Sequence, residues 1–128
     1  MMRGPDDIES YLIQMEVQHD MLGDGLWVVK GQGPDLVVSI AGPVVVFRMR
    51  VLDLTKVPRG RREGLYHTLL ELNAGGMLHG AYGLEGDSVV ATAALQLENL
   101  DFNEFQAAID DLGMAVSNHY ATLSKLAA

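Results

Sequence analysis

Four histidines, His19, His67, His79 and His119, are the side chains here best able to bind a metal or move a proton near neutral pH. Their spacing argues against a metal centre. A zinc-type site needs several converging donors, commonly with a local pair such as H-x-x-x-H, and no such pair occurs. The four read as surface or hydrogen-bonded histidines, and neither a metal nor a cofactor is expected. Asp20 and Asp24 flank a glycine-containing turn but lack the series of oxygen ligands along a calcium loop. Turn chemistry accounts for them. Asp110 and Asp111, adjacent on a helix, point about 100° apart and cannot share one proton-transfer site. Gly31-Gln32-Gly33 lacks the third glycine and following helix of a dinucleotide loop, and reads as a turn between strands. Ser10, Ser39, Ser88, Ser117 and Ser124 have no nucleophile-elbow context. Arg59, Arg61 and Arg62 could receive an anion, but read as residues that keep a loop soluble. With no catalytic signature, a non-enzymatic role is expected.

The elements that position these side chains belong to a chain of 128 residues, the size of one domain, read as residues 1–128. At 48% hydrophobic and 20% charged, it is globular rather than disordered. Nine basic against seventeen acidic residues leave a net charge of −8, which repels phosphate backbones and excludes an ordinary nucleic-acid binder. Without cysteine there is no disulfide or thiol chemistry. The first residues are acidic where a signal peptide would be apolar, and no run approaches a membrane span, so a cytoplasmic protein without a membrane partner is expected.

Pro5, Asp6, Asp7 and Glu9 suit a helix start, and Ile8, Tyr11, Leu12 and Met15 follow at helical spacing, so a first helix should end near Glu16. Residues 17–22 are ambiguous, possible as a short extended piece. Strands are expected at 26–30, 36–41 and 44–52, separated by turns at 31–35 and 42–43. In the third, alternation puts Val45, Phe47, Met49 and Val51 on one face and Val44, Val46, Arg48 and Arg50 on the other. A second helix over 61–73 carries Leu65, Leu69 and Leu72 on one stripe, with Tyr66, Leu70 and Asn73 beside it. A hairpin follows, with strands at 78–84 and 88–97.

Asp101 then reads as an N-cap, with Glu104 completing a capping box and Leu100 and Phe105 spaced as a hydrophobic staple. The final helix exceeds twenty residues. Gly113 inside it should cost about 1 kcal/mol relative to alanine, and close approach of another backbone would be a reason to keep it. The order is α-β-β-β-α-β-β-α: an α+β fold, with a single antiparallel five-stranded sheet and helices mainly on one face. The other face is left partly free.

Several segments together resemble the YbjN-like family, which shares its fold with the type III secretion chaperones of the CesT/Tir-chaperone kind. They are the helix end LLELN (69–73), the strand pair HGAYGLEGDSVVATAALQLE (79–98), NLDFNEFQAAIDDL (99–112) and, upstream, DLVVSIAGPVVVFRMRVLDL (35–54). The resemblance covers roughly residues 26–123 and lies in a pattern of apolar positions and turns. It implies a small, acidic, cytoplasmic bacterial protein, usually a homodimer. Chaperones of this fold hold a partly extended client segment against apolar patches on the sheet and first helix, and YbjN-like proteins are associated with stress and regulatory phenotypes.

Two surfaces are therefore expected. Gly64, Tyr66, Leu69, Leu70 and Tyr82 would form a homodimer interface, with Gly64 permitting close helix approach. Leu12, Met15, Trp27, Val44 and Val46 would form a patch for an unidentified protein client. The alternative is a small-molecule-sensing regulatory domain with a pocket between sheet and helices, lined by Trp27, Phe47 and Tyr82.

Overall fold

The computed structural model describes residues 1–31 and 33–128. Gln32, in the turn expected over 31–35, lies outside the described residues. These form three helices and six strands in the order α1 (Pro5–Gln14), β1 (Gln18–Gly23), β2 (Leu26–Lys30), β3 (Leu36–Ala41), β4 (Val44–Asp53), α2 (Arg59–Gly75), β5 (Ala81–Glu85), β6 (Ser88–Gln96) and α3 (Phe102–Ala127). A single 3-10 turn, Leu54–Lys56, joins β4 to α2.

Local chemistry explains most boundaries. Pro5 opens α1, where the Asp7 carboxylate accepts the Gly4 N–H at 2.9 Å. Glu16, just beyond the helix, takes a left-handed φ of 59°. At α3 the Asp101 carboxylate accepts the Glu104 N–H at 2.7 Å, and the Glu104 carboxylate accepts the Asp101 N–H at 3.3 Å. The capping box read from the sequence is thus formed, and Leu100 and Phe105 beside it are buried. Gly80, which leads into β5, has φ +81°, and a Cβ there would run into the Thr92 carbonyl. β5 begins just after Gly80, at Ala81, later than the apolar pattern suggests.

The sheet is antiparallel throughout, in the order β1-β2-β3-β4-β6-β5. It has six strands rather than the expected five. The additional strand is β1, whose residues are all exposed except the half-buried His19. Such an edge strand carries no apolar alternation to announce it. β4 and β6 pair along almost their full length at the centre, and α2 crosses from the end of β4 to β5 so that β6 returns between them.

Register decides which side chains share a face. Trp27, Val38, Phe47 and Ala93 lie opposite one another across four strands, and Val29, Leu36, Met49, Ala91 and Tyr82 form the next inner row. All three described helices cover this side. Glu9 of α1 accepts the Trp27 indole N–H at 2.9 Å, Asn73 of α2 reaches Tyr82, and Phe105 of α3 packs edge-on against Phe47 with ring centroids 5.4 Å apart. Trp27, Phe47, Phe105, Leu12 and Leu65 are all fully buried. Each such side chain contributes roughly 1.5–3 kcal/mol relative to exposure.

Candidate functional site

The alternate residues of the same strands point away from the helices. Leu26, Ser39, Val46 and Ala94 lie in one row across β2, β3, β4 and β6, and Val28, Val37, Arg48 and Thr92 in the next. Leu26, Val28, Val37, Val44 and Val46 are half-buried, shielded by their neighbours on the sheet and by none of the described helices. Small residues continue the surface over β6 and β5, at Ala94, Ala81 and Gly83. The result is a flat apolar floor. Charges mark its border: Arg48 lies 3.2 Å from Glu85, Lys30 3.7 Å from Asp35 and Arg50 4.0 Å from Asp53. Exposed pairs of this kind contribute little to stability and exchange readily for other partners.

The structure divides the five residues expected to hold a client. Val44 and Val46 lie on this open face. Leu12 and Trp27 are fully buried in the core, and Met15 is packed against it, so within one protomer they offer no surface to a client. Leu26, Val28 and Val37 complete the face in their place. Their signal was present in the sequence, because each alternates with a residue of the apolar core.

The five residues expected at a dimer interface are likewise divided. Leu69 and Tyr82 are each 5% exposed and belong to the core, and Tyr66 is half-buried against it. Leu70 is 69% exposed, and the space around Gly64 is open. Asn73 fixes this flank of α2 to the outer edge of β5 through both the N–H and the carbonyl of Tyr82. Since β5 returns antiparallel to α2, two residues along the strand, about 6–7 Å, correspond to about four helical residues. Leu84, itself exposed, therefore lies level with Leu69 and Leu70. Exposed Leu84 is the member of this patch that sequence reasoning missed, because hairpin position alone does not mark an edge.

Polar side chains meet in pairs rather than clusters. His79 lies 2.6 Å from Asp111 and ties the loop before β5 to α3. The Tyr82 hydroxyl lies 2.8 Å from His119 Nδ1, and burial pushes its pKa up to about 12, so it stays protonated. His19 bridges the Val17 carbonyl and Glu9, whose other oxygen holds Trp27. Among the described residues, no three His, Asp or Glu side chains converge as metal ligands would.

Trp27, Phe47 and Tyr82 are packed into the core, at 5% exposure or less. A cleft of about 870 Å³ opens elsewhere, between α3 and the inner face of the sheet, with walls that include Leu36, Met49, Val51, Ile109 and Val116. Among the described residues, no helix is long and apolar enough to cross a membrane.

The CesT_Tir_1 family profile matches residues 1–128. No curated protein matches the chain at the sequence level. Among solved structures, the chain is similar to YbjN from E. coli, with a TM-score of 0.71 and 13% identity over 95% of each chain. It is also similar to a structure of the heterodimeric ExoU-SpcU complex from the type III secretion system of Pseudomonas aeruginosa. The TM-score there is 0.68 at 18% identity, covering 94% of this chain and 97% of that one. A third likeness is to a structure of the Yersinia pestis type III secretion chaperone SycH in complex with a fragment of YscM2. Its TM-score is 0.63 at 13% identity, covering 89% and 97%. At these identities the likeness establishes the fold.

Proposed function

The chain belongs to the CesT_Tir_1 family, and from that premise we propose a non-enzymatic, homodimeric, cytoplasmic protein-binding module of chaperone-like or regulatory role. It holds an extended client segment on the open face of its sheet. The observation that carries this reading is the patch of branched apolar side chains, Leu26, Val28, Val37, Val44 and Val46, on the face left bare by the described helices. A client's apolar side chains lose water against that floor, and roughly 25 cal/mol is gained per Å² of apolar surface covered. The edge of β1 lies beside the same floor, with Met21 and Leu22 exposed, and offers backbone groups for strand addition. Similar structures solved as complexes with a second protein support the reading.

Dimerisation in this reading uses the flank of α2, where Leu70 and Leu84 are exposed and Gly64 leaves room for a neighbouring backbone. An isologous contact there leaves the open sheet face of each protomer accessible.

Affinity capture from the source cytosol with quantitative mass spectrometry tests the client surface. The wild-type chain and a Met114→Asp control, altered at an exposed site on α3, should recover one stoichiometric protein that Val46→Asp loses. Failure to recover a stoichiometric partner, or its full retention by Val46→Asp, would sink the reading.

A further inference from the structure

His19 stands between two hydrogen-bond acceptors. Its Nδ1 lies 2.9 Å from the Val17 carbonyl, and its Nε2 lies 3.2 Å from one carboxylate oxygen of Glu9 on α1. The other Glu9 oxygen accepts the Trp27 indole N–H at 2.9 Å. A neutral imidazole carries one N–H and the imidazolium two, so only the protonated ring can donate to both acceptors. Whichever proton is lost, one of the two contacts becomes lone pair against lone pair. We propose that this cluster is a pH-sensitive latch, which holds β1 to the body of the protein when His19 is protonated and lets the strand loosen when His19 is neutral.

Burial decides which side gives way. Trp27 is fully buried, as are Ile8 and Leu12, the residues that seat α1. A Glu9 carboxylate that turned away from a neutral His19 would leave the Trp27 N–H without its partner inside the core, which is costly. β1 has no such anchor. Five of its six residues are exposed, and His19 alone is half-buried. The strand lies at the edge of the sheet, pairs only with β2, and its register is already irregular between Met21 and Gly23. It is the element that yields.

The charges around His19 set the direction of the switch. Glu9 from α1 and Asp20 on its own strand both favour the imidazolium. β2 sets Val29 opposite His19, and its Lys30 lies opposite Gln18, on the other face. Of the remaining titratable groups on and beside α1, Asp6 and Asp7 lie in its first turn, Tyr11 bonds the Leu100 carbonyl, and Glu16 is exposed. The Val17 carbonyl, against the opposing effect of burial, and then Glu9 hold the pKa of His19 above the ordinary 6.5. The latch is therefore closed in mildly acidic solution and opens as pH rises past that raised value.

Amide hydrogen exchange of the full chain, read by mass spectrometry at pH 6 and pH 8 and divided by the intrinsic rate at each pH, tests the latch. In the wild type, protection across β1 and β2 should fall roughly tenfold between the two, the effect of one lost hydrogen bond, while protection across β5 and β6 holds. Glu9→Gln supplies the neutral ring with a donor, because the amide can donate to Nε2 and still accept from Trp27. Its protection at pH 8 should therefore equal or exceed that at pH 6. His19→Gln has no proton to lose and should show no change between the two, which tests the latch independently should Glu9→Gln fail to fold. Equal protection of β1 at both pH values in the wild type would overturn the proposal, as would an equal fall across β5 and β6, which marks global unfolding. A fall of wild-type size in either folded variant would overturn it too. None of these readouts involves the client or the dimer contact, so the latch stands or falls apart from them.

Discussion

The side-chain amide of Asn73 pairs with the backbone of Tyr82 as a neighbouring strand would. Its Oδ1 accepts the Tyr82 N–H at 2.7 Å, and its Nδ2 donates to the Tyr82 carbonyl at 3.0 Å. β5 is the last strand of the sheet, and Tyr82 pairs across to Ala91 on its inner side. One residue of α2 thus both locks the helix to the sheet and blocks the edge at that position. Replacing it by alanine leaves a donor and an acceptor without their partners. Asn73→Ala should lower the unfolding free energy by about 1–3 kcal/mol in a urea titration, and Asn73→Asp, which still accepts but cannot donate, should cost less than the full amount.

Gly80 is held in a conformation that only glycine takes easily, with the Thr92 carbonyl in the space a Cβ would need. Gly80→Ala should destabilise the fold by at least about 2 kcal/mol, because backbone strain and a backbone clash add. Gly86, at φ +57° in the following hairpin, has open space where a Cβ would stand. Gly86→Ala should therefore cost less than Gly80→Ala. Paired denaturation curves check the order.

His19 ties β1 to α1, and the Val17 carbonyl and then Glu9 raise its pKa above the ordinary 6.5, against the opposing effect of burial. A histidine whose pKa is raised on folding adds stability that is complete below the unfolded value and lost as pH rises through the folded one. The thermal midpoint of the wild type, measured against His19→Gln, should therefore show its advantage at pH 6 and lose it toward pH 8. An advantage that grows with pH would contradict this assignment.

Leu70 of α2 and Leu84 of β5 are both exposed apolar side chains, and we take them together as the proposed dimer patch. If that patch is the dimer contact, Leu70→Asp should shift the mass by light scattering from twice the chain mass to the chain mass without changing the circular dichroism spectrum.

Element order, turn positions and caps are legible in the sequence because each depends on neighbours within four residues. Asp101 and Glu104 meet across one helical turn, and the alternation of Val44 to Val51 needs only the pleat of a single strand. β1 is ambiguous there because an exposed edge strand buries too little to leave a pattern. Trp27 groups with Val44 and Val46 in the sequence because all three are apolar and in strands. Their faces differ: Trp27 lies opposite Val38, and Val38 opposite Phe47, so Trp27 turns inward while Val44 and Val46 turn out.

What the sequence by itself determined is therefore the three helices and five of the six strands, the capping chemistry and the parity of side chains along those strands. Only the tertiary structure decided how those parities align between strands, which face the helices cover, and that Asn73 and His119 both meet Tyr82. The reason is range. Capping and pleating are local effects of the backbone, whereas register and layer packing are set by contacts between residues far apart in the chain, which no local spacing encodes.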